Sequence, residues 1–82
     1  MERAYPNPFN RSMHIIIAVP NAEPVRIAVF DLQGRLVDTL YHGSLTAGHH
    51  RFVWRPNVAT GMYFVRVSTA SWQEMRKVVY LK

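Results

Sequence analysis

A chain of 82 residues and 9.5 kDa, 49% hydrophobic, 12% aromatic and 18% charged, has the composition of one globular domain. At this length only about 60% of the unfolded surface is buried, which leaves little material to wall a deep catalytic cleft. No cysteine is present, which excludes disulfide frameworks, thiolate zinc sites and cysteine nucleophiles. Ten Lys and Arg against five Asp and Glu leave a net charge of +5. The runs without Asp, Glu, Lys or Arg, Ser12 to Ala22 among them, reach at most 12 residues, too short and too polar to span a bilayer, and no apolar signal-peptide core follows Arg3.

In chain order, the first eleven residues read as an extended lead-in rather than a strand. Pro6 and Pro8 each restrict their own backbone and that of the preceding residue, and Tyr5 and Phe9 are placed to pin the segment to a core. From Met13 to Val19 the residues Ile15, Ile17 and Val19 alternate onto one face. After the Pro20-Asn21-Ala22-Glu23-Pro24 turn, Val25, Ile27 and Val29 alternate with Arg26, Ala28 and Phe30. Asp31 to Gly34 reads as a hairpin turn in which the Asp31 side chain bonds the backbone and Gly34 takes the left-handed position. Val37 to Tyr41 is the weakest strand, interrupted by Asp38 and Thr39. Phe52 and Trp54 alternate with Arg51, Val53 and Arg55. Gly61 is expected to supply a positive φ where the chain enters the next strand, in which Tyr63, Val65 and Val67 share a face. In the last segment, Glu74 to Lys82, the pattern sets Met75, Val79 and Leu81 inward against Arg76, Val78 and Tyr80. The period is 2 throughout. Six or seven short strands separated by turns at 8–12 residue spacing predict an all-β fold, a small antiparallel immunoglobulin-like β-sandwich.

Catalytic chemistry has no foothold in this pattern. The carboxylates Glu2, Glu23, Asp31, Asp38 and Glu74 lie at a terminus, in turns or in outward positions, and none forms a facing pair. No nucleophile elbow or phosphate-cradling glycine loop is present, so no catalytic residue and no cofactor site is expected. His14, His42, His49 and His50 lack chelating spacing; His49 and His50 are adjacent on a strand and point to opposite faces. No metal site is read from them, and a loose calcium site of turn oxygens is the one metal chemistry left open. Arg26, Arg51, Arg66 and Arg76 are assigned to outward faces. They suit solvation and edge protection, or an anionic lipid or glycan partner. Without a stacking platform on one basic face, nucleic acid is not expected. Phe30, Phe64, Trp72 and Tyr80 fall off the cleaner core faces and form a candidate sugar-stacking or docking set.

The motifs are more specific in their order than singly. Tyr5-Pro6-Asn7-Pro8-Phe9-Asn10, Val29-Phe30-Asp31-Leu32-Gln33-Gly34-Arg35, Ala47-Gly48-His49-His50, Trp54, Gly61-Met62-Tyr63-Phe64-Val65-Arg66 and Lys77-Val78-Val79-Tyr80-Leu81-Lys82 follow one another along nearly the whole chain. In this order they resemble the C-terminal sorting domain, type A, of the type IX (Por) secretion system, and a related immunoglobulin-like domain of flagellar hook-capping proteins. Arg11 stands where proline is common after Asn10, and Val58 departs from the small polar pattern ahead of Gly61.

The resemblance implies a non-catalytic module at the C-terminus of a larger exported protein, preceded by a cargo such as a glycan hydrolase. The sorting domain then spans 5–82, and residues 1–4 are linker or residues added for expression. The implied partners are type IX translocon components, a sortase-like peptidase that cuts just ahead of Tyr5, and an anionic lipopolysaccharide to which the cargo is joined. The implied location is the secreted or outer-membrane cell-surface compartment, reached through the periplasm. The recognition residues carried over are Tyr5, Pro6, Asn7, Pro8 and Phe9; Asp31, Gly34 and Arg35; Gly61 and Tyr63; and Lys77, Val78, Val79, Leu81 and Lys82. Recognition is expected to centre on the terminal strand, offered edge-on to a receptor strand. A carbohydrate-binding accessory sandwich and a structural spacer remain the alternatives.

Overall fold

The computed structural model describes all 82 residues and contains seven strands and no helix: β1 (Arg3–Tyr5), β2 (Met13–Val19), β3 (Glu23–Phe30), β4 (Leu36–Leu45), β5 (Gly48–Trp54), β6 (Gly61–Ser68) and β7 (Gln73–Tyr80). They form two antiparallel sheets, β1-β2-β5 and β4-β3-β6-β7, with the chain crossing between sheets after β2, β4 and β5. This is the expected small immunoglobulin-like sandwich. β2 alternates buried and half-buried residues without a break, and β3 and β6 bring Val25, Ile27, Val29, Tyr63, Val65 and Val67 inward. Trp54 fills one end of the core at 1% exposure. It meets Phe9 at 5.6 Å and Tyr63 at 5.5 Å between ring centroids.

Two elements differ from the sequence pattern. Residues 3–5, expected within a non-strand lead-in, pair with β2 as Arg3↔Ile16, Ala4↔Ile15 and Tyr5↔His14. The stretch from Val37 to Tyr41 belongs to a strand of 10 residues, but its pairing with β3 shifts register at Ile27/Ala28 and at Val29/Phe30. Such bulges insert an unpaired residue and reset which side chains face inward, so strict alternation is lost there.

The facing of β7 is opposite to the expectation. Val78 and Tyr80 are buried, whereas Met75 is 52% and Leu81 47% exposed. Register with β6 decides this, because inward Tyr63 stands opposite Val78 and opposed residues share a face. The same register turns Arg76 and Glu74 toward the core edge, beside Val65 and Val67. There the chain's own N-terminus covers them. The Met1 ammonium lies 2.6 Å from Glu74, and an Arg76 guanidinium N–H donates to the Met1 carbonyl at 3.3 Å. Arg76 is therefore not an outward cation, and Tyr80 is a core residue rather than an exposed aromatic.

Ile27→Ala removes a side chain with no solvent exposure and is expected to cost about 2–5 kcal/mol. Met75→Ala, at an outward position, is expected to stay within about 0.5 kcal/mol. Urea unfolding of the two variants tests the facing of β7: a large loss at Met75 contradicts it.

Candidate functional site

The two termini of the chain are bonded to each other. Past β1, the chain runs through Pro6-Asn7-Pro8 along the outer edge of β7. The Asn7 side-chain amide donates to the Lys77 carbonyl at 3.1 Å, and its oxygen accepts the Val79 N–H at 3.0 Å. Two residues on, the Phe9 N–H donates to the Val79 carbonyl and the Leu81 N–H donates to the Phe9 carbonyl, each at 2.9 Å. Phe9 thus forms a parallel bridge with Tyr80. Its ring is 2% exposed and lies 5.1 Å from Tyr80. Proline at 6 and 8 explains the choice of groups: neither has an N–H to offer, so the Asn7 carboxamide supplies a donor and an acceptor with strand-like spacing. The outward backbone groups from Lys77 to Leu81 are consequently satisfied within the chain, and a receptor strand cannot add to this edge while the Asn7–Phe9 strap is in place.

The turn after β3 is built on Asp31. One carboxylate oxygen accepts the N–H groups of Gln33 and Arg35, both at 2.9 Å, and the other accepts Arg35 Nε at 2.9 Å. The backbone closes the loop through Asp31 N–H to Arg35 O and Gly34 N–H to Asp31 O, each 3.0 Å. Gly34 adopts φ +81° with open space at its Cβ position, the left-handed geometry anticipated for it. The Arg35 backbone N–H is the main cause holding the Asp31 carboxyl below its ordinary pKa. Partial burial opposes it, and the Arg35 guanidinium and Gln33 N–H add to it.

Strand order brings these separate motifs to one end of the four-stranded sheet. The end of β3, the start of β6, the end of β7 and the strap lie side by side there. Gly61 pairs with Tyr80, and the Lys82 N–H reaches Thr60 Oγ1 at 3.4 Å. Asp31, Leu32, Gln33 and Arg35 share with Thr60, Gly61, Met62 and Tyr63 a shallow depression of about 230 Å³. Pro6, Pro8, Phe9, Asn10, Leu81 and Lys82 line a neighbouring groove of about 380 Å³. Pro6, Asn7, Pro8, Gly34, Arg35, Leu81 and Lys82 are exposed. Phe9, Tyr63 and Val78 are buried; the Tyr63 hydroxyl donates to the Ala59 carbonyl at 2.5 Å and holds the loop ahead of Gly61. Gly61 has φ +158°, positive as anticipated and close to fully extended. Lys77 and Val79 project from the outer sheet face, and Tyr5 stacks on His14 at 5.3 Å.

The sequence pattern did not reveal that Asn7 bonds the terminal strand; the one signal was a carboxamide between two prolines. Leu32, Thr60 and Met62 also line the depression and were not among the expected recognition residues; Leu32 and Met62 lie within the quoted motifs, Thr60 just ahead of one. Of the candidate sugar-stacking set, Trp72 packs against the core, Tyr80 lies within it, and Phe30 is covered by Arg66, whose guanidinium carbon is 4.4 Å from the ring centroid. The two histidines at 49 and 50 diverge, His49 to Glu2 at 2.9 Å and His50 to the Thr46 carbonyl at 2.7 Å.

The family model described as the secretion system C-terminal sorting domain matches residues 3–81. No curated protein and no solved structure matches the chain.

Asn7→Ala removes two bonds to the β7 edge and is expected to cost about 1–3 kcal/mol at a net 0.5–1.5 kcal/mol per bond. It should speed amide exchange at Val79, and unchanged exchange there would contradict the strap. Because the folded pKa of Asp31 is depressed, its carboxylate stabilises the fold above the unfolded value near 4, and that contribution is lost as pH falls through the lower folded value. Asp31→Asn should therefore destabilise at pH 7 and much less at pH 2, read by urea unfolding; equal losses at both would refute the assignment.

Proposed function

We propose a receptor surface for this chain, which belongs to the family of type IX secretion C-terminal sorting domains. Membership makes it a sorting signal for type IX secretion, acting with that machinery in export across the outer membrane to a secreted or cell-surface form. The family is one of non-catalytic signal modules.

The receptor reads the motif-bearing end of the four-stranded sheet. The observation that carries this reading is the convergence there of the exposed strap, the Asp31–Arg35 turn, the start of β6 and the Leu81–Lys82 tail. Recognition then uses side chains and turn backbone on an assembled surface, since the β7 edge at this end is filled by Asn7 and Phe9. The Met1 carbonyl accepts from Arg76, beside Glu74 and toward the other end of β7. Seven residues of strand at about 3.3 Å each separate Glu74 from Leu81, roughly 23 Å. A cargo joined ahead of β1 would therefore leave the address at the far end unobstructed. A sortase-like peptidase acting ahead of Tyr5 would have to free β1 from β2 first, because a peptide held in a sheet ladder cannot enter a protease cleft. A cargo such as a glycan hydrolase, and its attachment to anionic lipopolysaccharide, belong to the same reading.

The test is a passenger protein fused ahead of residues 1–82, followed in a host with an active type IX system and in its translocon-null mutant. Export in the first and periplasmic retention in the second are expected. A Lys77→Ser, Lys82→Ser variant should fold within about 0.5 kcal/mol of wild type and export poorly. Normal export of the folded double variant would remove the terminal lysines from the recognition surface. Retention of the folded wild-type fusion in both hosts would overturn the sorting role.

A further inference from the structure

The outer face of the four-stranded sheet carries an apolar patch that folding leaves open. Register aligns Leu36, Phe30, Phe64 and Lys77 in one row across the four strands, and Thr39, Ala28, Arg66 and Met75 in the next. Leu32, Leu36, Met62 and Met75 are 55%, 53%, 40% and 52% exposed, so most of the large apolar side chains the chain leaves in solvent gather here. Phe30, Leu32, Phe64, Arg66 and Met75 line a depression of about 210 Å³ together with Asp31 and Gly34. This is smaller than a typical ligand pocket of roughly 300–1,000 Å³, and sized for one apolar side chain rather than a cofactor.

Cations dominate the three strands around the depression. The outward positions of β3, β6 and β7 hold Arg26, Arg66 and Lys77 and no carboxylate. Of the carboxylates near the rim, Asp31 is already engaged by Arg35 and by two backbone N–H groups, and Asp38 stands exposed on β4 between Leu36 and Thr39, away from Arg66 on β6. Arg66 is held flat on the Phe30 ring. Its Nε is buried without a hydrogen-bond partner, and no ion pair forms to its guanidinium. A guanidinium fixed by stacking beside an apolar depression, with its charge unanswered, is complementary to a carboxylate adjoining an apolar side chain.

We infer that this face is a second docking surface of the domain, and that its occupant is an acidic protein segment that places an apolar side chain among Phe30, Leu32, Phe64 and Met75 and a carboxylate on Arg66. A bilayer is a poorer occupant: the two aromatic rings, Phe30 and Phe64, are half-buried and offer little depth for insertion. The face is continuous with the motif-bearing end, since Asp31 and Leu32 line both depressions. Placing it on the export machinery rests on the sorting reading; the preference for an acidic, apolar segment does not.

The binding test titrates the folded 82-residue protein with the hexapeptide Glu-Leu-Asp-Phe-Glu-Asp, following backbone amide shifts. Shifts confined to the neighbourhood of Phe30, Phe64, Arg66 and Met75 are expected. Binding should weaken at least fivefold in Met75→Glu and in Arg66→Gln, and fall steeply between 50 and 500 mM salt. Equal binding of the hexapeptide with every acid replaced by Lys, or shifts spread over the surface, would overturn the inference. So would stronger binding to phosphatidylglycerol vesicles that Met75→Glu abolishes, which would make the face a lipid surface. In the passenger assay, Met75→Glu should lower export severalfold while melting as wild type. Normal export of that variant would remove the export machinery as occupant, whereas failure of the wild-type fusion alone would count against the sorting reading and leave the peptide result standing.

Discussion

The last strand of this domain has an outer edge that something must cover, and the segment Asn7 to Phe9 covers it. Unpaired strand edges invite association with other chains, and in a chain of 82 residues each unsatisfied backbone group weighs heavily against a small core. The strap meets both requirements with few residues. The Asn7 carboxamide bonds Lys77 and Val79, the Phe9 backbone bonds Val79 and Leu81, and the Phe9 ring closes the core between Trp54 and Tyr80. Everything near that end, from the β7 register to the open groove beside Leu81, depends on the two termini being tied together.

This tie changes how the terminal strand can act. A free edge would offer main-chain hydrogen bonds to any receptor strand. With that edge filled, what the domain presents is a composite of turn backbone and side chains from four distant stretches of chain. On the receptor surface proposed above, specificity follows from the arrangement of these stretches. The same tie couples the N-terminal junction to the C-terminal strand, so damage at either end loosens both. Met1 and Arg76 extend that coupling along β7, where the Met1 carbonyl accepts from the Arg76 guanidinium at the core edge.

The outer sheet face follows a different logic. Core formation uses the inward positions of β3, β6 and β7, and the outward positions are free to carry other chemistry. Phe30, Phe64 and Met75 add little to the core from where they stand, and Arg66 lies on Phe30 with no anion to balance it. An apolar surface with an unpaired guanidinium beside it suits the docking role inferred above better than solvation, because solubility alone would be served by polar side chains at the same positions.

Much of the fold was legible in the sequence. Alternation in β2, β3 and β6, imperfect at Ile16 and in the apolar run Ile27 to Phe30, with turn residues between them, was sufficient for an all-β sandwich and for most of its core. The Asp31 turn was readable because it is local: its side chain bonds only groups within four residues. β4, β7 and the site were less readable. Bulges in β4 break the alternation, and in β7 Met75, Val79 and Leu81 outnumber Val78 and Tyr80, so counting apolar residues favoured the wrong face. Pairing with β6 settled the facing of β7, since Tyr63 and Val78 had to share a side. Strand order alone decided which motifs meet, and the contact of Asn7 with Lys77 and Val79 spans some 70 residues. Local pattern records which face a residue prefers; only the packed sheets determine its neighbours.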